Sequence, residues 1–253
     1  MNDLFRLDNQ IAVVTGGGTG LGLAIARRMA DAGARVVLVG RRREPLAEAA
    51  KSIGPSAQIV EHDVSDVAAA GGLIASATKL MGAPPTILVN NAGIHLKKWA
   101  VDTTETEFMA VLQTHVLGSF ALTRALAPGM IERKSGSIIF IASMASLFGI
   151  PQVVAYSAAK SAYLGMVRTL ATEISPHGVR VNAIAPGWID SDMLRGAFKG
   201  DPDRARRILE RTPMRKLGEP DDIGHAAVYL SSPAAKFVTG AVLAVDGGIS
   251  IGF

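Results

Sequence analysis

Tyr156 and Lys160 stand four residues apart in a stretch with helical spacing, so their side chains fall on one face. A phenol with an ordinary pKa near ~10 exchanges protons poorly at neutral pH, and a neighbouring ammonium favours the phenolate and lowers that value. Ser143, just after an apolar run, carries a hydroxyl suited to holding a carbonyl oxygen while Tyr156 gives or takes its proton. A core tyrosine and a surface lysine that merely share a helix satisfy the same spacing, so the pair alone leaves both readings open.

A second chemical signal is the run Thr15-Gly16-Gly17-Gly18-Thr19-Gly20-Leu21-Gly22. Glycine at such a place lets the backbone turn tightly and approach a pyrophosphate, whose charge the following helix N-terminus favours. The spacing is neither the common G-x-G-x-x-G nor a G-K-[ST] triphosphate loop. A flexible turn is the alternative, but a position on the first strand-to-helix junction favours dinucleotide binding. The next apolar run ends at Gly40 and is followed by Arg41-Arg42-Arg43, with no acid until Glu44. A carboxylate there would accept from a ribose 2′-hydroxyl and repel a 2′-phosphate, whereas arginine suits a phosphate dianion. NADP is therefore expected over NAD, with Arg41 as the contact. Thr19 adds no second basic group, and the three arginines also read as the start of a solvated helix.

The elements that must position these groups alternate along the whole chain. Apolar runs predict strands over Ile11–Thr15, Arg35–Gly40, Ala57–Glu61, Thr86–Asn90, Ser137–Ile141, Arg180–Ala185 and Ala241–Val245. Between them, helical spacing covers Leu21–Ala32, Pro45–Ile53, Val67–Met81, Thr104–Arg133 as one or two helices, and Ala155–Ser175. Strands apolar throughout indicate a parallel sheet covered on both faces. The expected fold is α/β, a single-domain Rossmann-like doubly wound parallel sheet of about seven strands over residues 1–253, with helices on both faces. The least regular stretch, Pro186–Pro220, carries short helices around Asp192–Phe198 and Pro202–Arg211. It follows the sixth strand, where open sheets place their ligand crevice, and is read as a substrate lid at 186–220, with a plain surface insertion as the alternative.

Composition narrows the classes. Of 253 residues, 49% are hydrophobic, 19% charged and only 5% aromatic, so an aliphatic core is expected and disorder is not. The absence of cysteine excludes a disulfide scaffold and a thiolate nucleophile. A formal charge of +4 is too small to argue for nucleic acid. The first ten residues carry Asp3 and Asp8 without a signal-like pattern, and the apolar runs are too short to span a bilayer, so a cytoplasmic protein without membrane contact is expected. His62, His95, His177 and His225 show no metal-ligand spacing, so no metal is expected; His95 follows the loop after the fourth strand and reads equally as a substrate contact or a surface residue.

The motifs taken together resemble the short-chain dehydrogenase/reductase family over nearly the whole chain: Thr15–Gly22, Asp63-Val64, Asn90-Asn91-Ala92-Gly93, Ser143, Tyr156-x-x-x-Lys160, Asn182, Pro186-Gly187 and Val245-Asp246-Gly247-Gly248. The resemblance implies an NAD(P)-dependent oxidoreductase interconverting a secondary alcohol and a ketone. It implies Tyr156 as general acid/base, Lys160 as the group that lowers its pKa and binds the nicotinamide ribose, and Ser143 as the group that orients the substrate oxygen. The cofactor contacts it implies are the glycine turn (Gly16, Gly18, Thr19, Gly20, Leu21, Gly22), Asp63 and Val64 flanking the adenine, and Asn90 to Gly93 along the cofactor. Pro186 and Gly187 complete them, with Ile189 touching the nicotinamide amide through its backbone. One position departs: where the family usually has an asparagine that helps hold a relay water, this chain has His115 in His115-Val116-Leu117-Gly118. Imidazole can donate, accept and titrate near neutrality, so His115 is read either as a catalytic relay member or as a structural substitute with the water on its backbone carbonyl.

Within the family, Ile141–Ser146, Arg211–Pro220 and the glycine-rich tail after Val245 look most like the gluconate 5-dehydrogenase-like sugar-acid dehydrogenases. A 3-oxoacyl-carrier-protein reductase has a similar pattern, and a non-catalytic dinucleotide sensor is the alternative of another class. Such enzymes are commonly homotetramers. The alanines Ala158, Ala159 and Ala162 would permit close helix approach, although an internal contact explains them equally.

Overall fold

The computed structural model describes residues 3–191, 194–195 and 202–252. Seven strands are ordered β3-β2-β1-β4-β5-β6-β7, and every neighbouring pair is parallel. They are β1 (Ile11–Thr15), β2 (Arg35–Gly40), β3 (Ala57–Glu61), β4 (Ile87–Asn90), β5 (Gly136–Ile141), β6 (Val179–Pro186) and β7 (Val242–Val245). The helices are α1 (Gly20–Asp31), α2 (Arg43–Ile53), α3 (Ala70–Met81), α4 (Glu105–Leu112), α5 (Gly118–Glu132), α6 (Val154–Ile174), α7 (Pro202–Arg211) and α8 (Pro220–Ser231). The strand order reverses between β1 and β4, and in an open parallel sheet the crevice beyond the carboxyl ends at that point is where ligands bind. The glycine run leaves β1 and the Asn90–Gly93 motif leaves β4, so the fold brings both to the crevice.

Side chains alternate across each strand, and both faces are apolar, which is why the strands read as continuous hydrophobic runs. Val13, Val37, Leu88, Ile138 and Val181 face α3, α5 and α6 through Leu73, Leu122, Leu126, Tyr163 and Val167. Ala12, Val14, Leu38, Ile139 and Ile184 face α1, α2 and α8 through Ile25, Met29, Leu46, Ile223 and Ala227. Fully burying one such aliphatic side chain contributes roughly 1.5–3 kcal/mol, so the two interiors hold the sheet rigid beneath its ligand edge.

Three elements differ from the sequence pattern. The stretch expected as one or two helices over Thr104–Arg133 is α4 and α5 joined by a single π turn, Gln113–Leu117. The segment Val67–Met81 opens with a 3₁₀ turn, Val67–Ala69, that Asp66 caps through the Ala69 amide. Helix α8 was not expected; the signal for it is a capping box between Glu219 and Asp222 with Pro220 in the first turn. In the stretch after β6, α7 forms as expected. The short helix expected around 192–198 lies largely outside the described residues. Among the described residues, no helix is long and apolar enough to cross a membrane.

Helix α8 packs closely on α1 because Gly224 faces it: a Cβ there would lie 2.5 Å from Arg28 Cγ and 3.0 Å from the Ala24 carbonyl oxygen. Relieving a helical glycine gains up to about 1 kcal/mol, but overpacking against backbone costs typically about 1–3 kcal/mol. Gly224→Ala should therefore lower stability in urea unfolding, whereas Gly72→Ala in α3, with nothing within 4 Å of its added Cβ, should raise it. The opposite sign at Gly224 would show that α1 and α8 separate freely.

Candidate active site

The crevice edge is built from the Thr15 side chain outward. Thr15 Oγ1 donates to the Val89 carbonyl (3.1 Å) and accepts from the amides of Asn91 (2.9 Å) and Ala92 (3.0 Å). Asn91 Nδ2 donates back to the Thr15 carbonyl (2.8 Å), and β1 and β4 are thereby joined at their ends. Gly16 has φ +66°, and a Cβ on Gly22 would lie 2.1 Å from the Gly16 carbonyl oxygen, so the turn closes only with glycine at these places.

Beside the turn lies an open cleft of about 190 Å³. Gly16, Gly18, Thr19, Arg41, Asp63, Val64, Ala92 and Gly93, all expected at a cofactor, line it. Arg42, His62 and Ile94 line it too and were not anticipated. The signal for His62 was its position directly after β3, at the same carboxyl edge. Two further features of the cleft match a dinucleotide. Arg41 and Arg42 stand together at one end, and His62 Nε2 is buried with no hydrogen-bond partner within the chain. Asp63 Oδ1 accepts from the Ser65 amide (2.9 Å) and hydroxyl (2.7 Å). The Ser65 amide above all, helped by its hydroxyl and by the Arg41 charge, holds the carboxyl of Asp63 below its usual range. Gly20, Leu21, Gly22, Asn90, Asn91, Pro186, Gly187 and Ile189 do not line this cleft. Asn91 spends its amide on β1, and Asn90 donates to Thr123 Oγ1 (3.4 Å). Ile189 bridges Gly218, but that bridge uses the Trp188 carbonyl and the Asp190 amide, so the peptide groups of Ile189 itself point the other way.

Beyond the Ile94 end of the cleft the structure gathers Ser143, Tyr156, Lys160 and His115. Ser143 follows β5 in an extended conformation, and its Oγ accepts from the Ala145 amide (3.1 Å), which leaves its hydroxyl proton to donate. Lys160 is 3% exposed; its Nζ donates to the Ile141 carbonyl (2.6 Å) and lies 5.6 Å from the centre of the Tyr156 ring. Burial pulls the Lys160 amine down to about 7. Burial also raises the Tyr156 phenol above its ordinary value, opposed only by contact with the Ser143 hydroxyl. The expected lowering of the phenol by a charged lysine is therefore not seen: in a low-dielectric pocket each group favours its neutral form.

His115 sits 1% exposed in the π turn, its ring 5.6 Å from that of Tyr156 and edge-on to it. Its Nε2 is 2.8 Å from the Ile94 carbonyl and 3.1 Å from the Ile94 amide, one tautomer serving each. A Cβ on Gly93 would fall 2.1 Å from His115 Cε1, so the glycine of Asn90–Gly93 makes room for this ring. Burial, reinforced by the Lys160 charge, depresses the imidazole to about 3 and keeps it neutral. The His115 carbonyl accepts from Tyr163 Oη (2.9 Å) and Ser119 Oγ (2.5 Å), so both its acceptor positions are occupied. His95 also lies against Tyr156, with ring centres 5.1 Å apart and planes tilted by 52°. Among the described residues, no group of three His, Cys, Asp or Glu side chains could hold a metal ion.

A doubly wound sheet with a glycine cradle at its switch point, and a serine, tyrosine and lysine gathered at the same edge, defines a dinucleotide-binding dehydrogenase. A family model described as enoyl-(acyl carrier protein) reductase matches residues 16–250. Galactitol 2-dehydrogenase (L-tagatose-forming) from Cereibacter sphaeroides is 40% identical over 251 residues, 98% of each chain. An NADP-dependent (R)-specific alcohol dehydrogenase from Lentilactobacillus kefiri is 40% identical over 248 residues, 96% of this chain and 97% of that one. The crystal structure of a gluconate 5-dehydrogenase from Burkholderia cenocepacia J2315 in complex with NADP and tartrate superposes with a TM-score of 0.93 at 32% identity, covering 99% of each chain. The chain belongs to the short-chain dehydrogenase/reductase family, and it is an oxidoreductase acting on a CH–OH group.

The burial of Lys160 has a direct signature. Followed by the 13C shift of its ε carbon in the cofactor-free protein, its amine should titrate near pH 7, far below the ordinary 10.5. Since the folded value lies below the unfolded one, stability should also rise with pH between these two values. A midpoint above 9 would contradict the buried, weakly charged state.

Proposed function

We propose that this chain interconverts a secondary alcohol and a ketone on a polyol or sugar acid, with NADP as the hydride carrier and NAD as the weaker alternative. The observation that carries the reading is the convergence of Ser143, Tyr156 and a buried Lys160 at the carboxyl edge of the sheet, next to a cleft with a glycine cradle and two arginines. A bound nicotinamide would supply the hydride acceptor for oxidation of the carbinol carbon and the hydride donor for reduction of the ketone. In oxidation Tyr156 accepts the hydroxyl proton, and in reduction its phenol donates it. The raised phenol value suits the donor role at neutral pH. Ser143, whose oxygen already accepts from Ala145, donates to the substrate oxygen and orients it. Lys160 is fixed by the Ile141 carbonyl, so its remaining protons are available to the ribose and to the phenol.

We assign the phosphates to Gly16, Gly18, Thr19 and the start of α1 through Gly20, Leu21 and Gly22, and the adenine to Asp63 and Val64. Asn90 to Gly93 flank the carrier, and Pro186, Gly187 and the outward peptide groups of Ile189 meet the nicotinamide amide. His115 is a positioning residue in this scheme: it ties Ile94 to the π turn and backs the Tyr156 ring. Residues 186–220 serve as the substrate lid of a single domain spanning 1–253. We further read the assembly as a homotetramer in the cytoplasm. Met109, Leu117 and Phe120 are exposed on and between α4 and α5, an apolar face a second copy would cover, and a chain without cysteine suits a reducing compartment.

Tyr156→Phe should lower turnover by at least about a hundredfold while leaving NADP binding largely intact, since only the proton-carrying oxygen is lost. Near-wild-type turnover would end the assignment. Arg41→Ala should weaken NADP by roughly one to two decades, the worth of a charge-assisted hydrogen bond, and leave NAD nearly unchanged. Fluorescence titration with both carriers at one ionic strength checks it; equal losses would mean that Arg41 stacks on the adenine instead of reading the phosphate. The Gly40 site accepts a side chain, since an added Cβ meets only Leu46 at 3.5 Å, so Gly40→Asp should move preference toward NAD.

A further inference from the structure

Two imidazoles lie against the ring of the reacting phenol, and they differ in burial. His115 is buried and engaged with Ile94, whereas His95 is exposed, with its ring tilted 52° to that of Tyr156 at 5.1 Å. A polar ring that touches the acid/base residue and also faces solvent is within reach of a molecule held against that residue.

The placement of His95 is fixed at both ends of a short span. On one side, Asn91 and Ala92 are bonded to Thr15, and Ile94 is bonded to His115. On the other, the Lys98 amide donates to the Gln152 carbonyl (2.8 Å), Lys98 bridges Val153, and Lys98 Nζ is paired with Glu107 (2.9 Å). Gln152 holds φ +69°, a left-handed conformation that a non-glycine residue keeps only where its surroundings impose it. The bridge thus ties the His95 segment to the loop that leads from Ser143 into Tyr156, and His95 is carried on the same rigid unit as the reacting groups. Lys98, the cation of this span that the bridge holds in place, is paired with Glu107, and the ring in contact with the phenol is the imidazole of His95.

We infer that His95 reads the substrate, hydrogen-bonding an oxygen on the carbon adjacent to the reacting carbinol, so that the enzyme selects alcohols carrying a vicinal hydroxyl over simple secondary alcohols. This rests on the dehydrogenase reading above and specifies its substrate class. An imidazole can donate to or accept from a hydroxyl, and a site built to bond such an oxygen discriminates against the analogue that lacks it.

The test compares steady-state oxidation of a panel of hexitols and hexonates with that of 2-butanol, using NADP and NAD. The wild type should prefer at least one panel member. His95→Ala should lower the ratio of kcat/KM for that member to kcat/KM for 2-butanol about tenfold, chiefly through KM, and His95→Asn, which keeps a donor, should recover most of the ratio. A ratio that does not move, or equal losses on both substrates, overturns the role of His95 and leaves the dehydrogenase reading standing. A wild type that oxidises 2-butanol but no panel member overturns the vicinal-hydroxyl selection. One that oxidises nothing with either carrier ends the functional reading, and this inference with it.

Discussion

The Thr15 hydroxyl, buried at the end of β1, makes three hydrogen bonds across the point where the strand order reverses. A parallel sheet leaves the chain free to depart in either direction there, and this one side chain prescribes both departures. It holds the glycine turn beneath α1 and the loop after β4 side by side. The second loop then carries Gly93, which admits the His115 ring, and Ile94, which bonds it. From one buried threonine, contact by contact, the structure passes from the strand core to the edge of the Tyr156 ring.

Burial does chemical service at that edge. Lys160, His115 and Tyr156 lie in the same apolar surroundings, and each is displaced toward its uncharged form. An isolated charge is costly in such a place, and among the described residues no acidic group acts on any of the three to offset it. The phenol keeps its proton, the amine sits near the midpoint of its titration, and the imidazole is neutral throughout the physiological range.

The cleft at the other end works by charge retained. Arg41 and Arg42 remain exposed to solvent, and Asp63 is kept ionised by the Ser65 amide and hydroxyl. Charges of both signs are thus kept at this part of the cleft, and the exposure of the arginines makes their field sensitive to ionic strength.

Much of this was legible in the linear chain. Apolar runs such as Ile11–Thr15 and Arg35–Gly40 coincide with their strands, because a strand buried on both faces is apolar along most of its length. Helix α8 escaped notice because it follows an irregular stretch and announces itself only by the Glu219–Asp222 cap. The spacing of Tyr156 and Lys160 determined that they share a helix face, and the order of motifs determined which end of the sheet they occupy. The sequence could not show that Lys160 bonds the Ile141 carbonyl, that the His115 carbonyl accepts from both Tyr163 and Ser119, that Asn91 serves the backbone of β1, or that His95 and His115 both lie against one phenol. Those are relations between residues far apart in the chain, and so are the protonation states that follow from them. Residue type and spacing determine local conformation; burial and hydrogen-bond partners arise only when distant segments pack, and here they decide which groups carry charge.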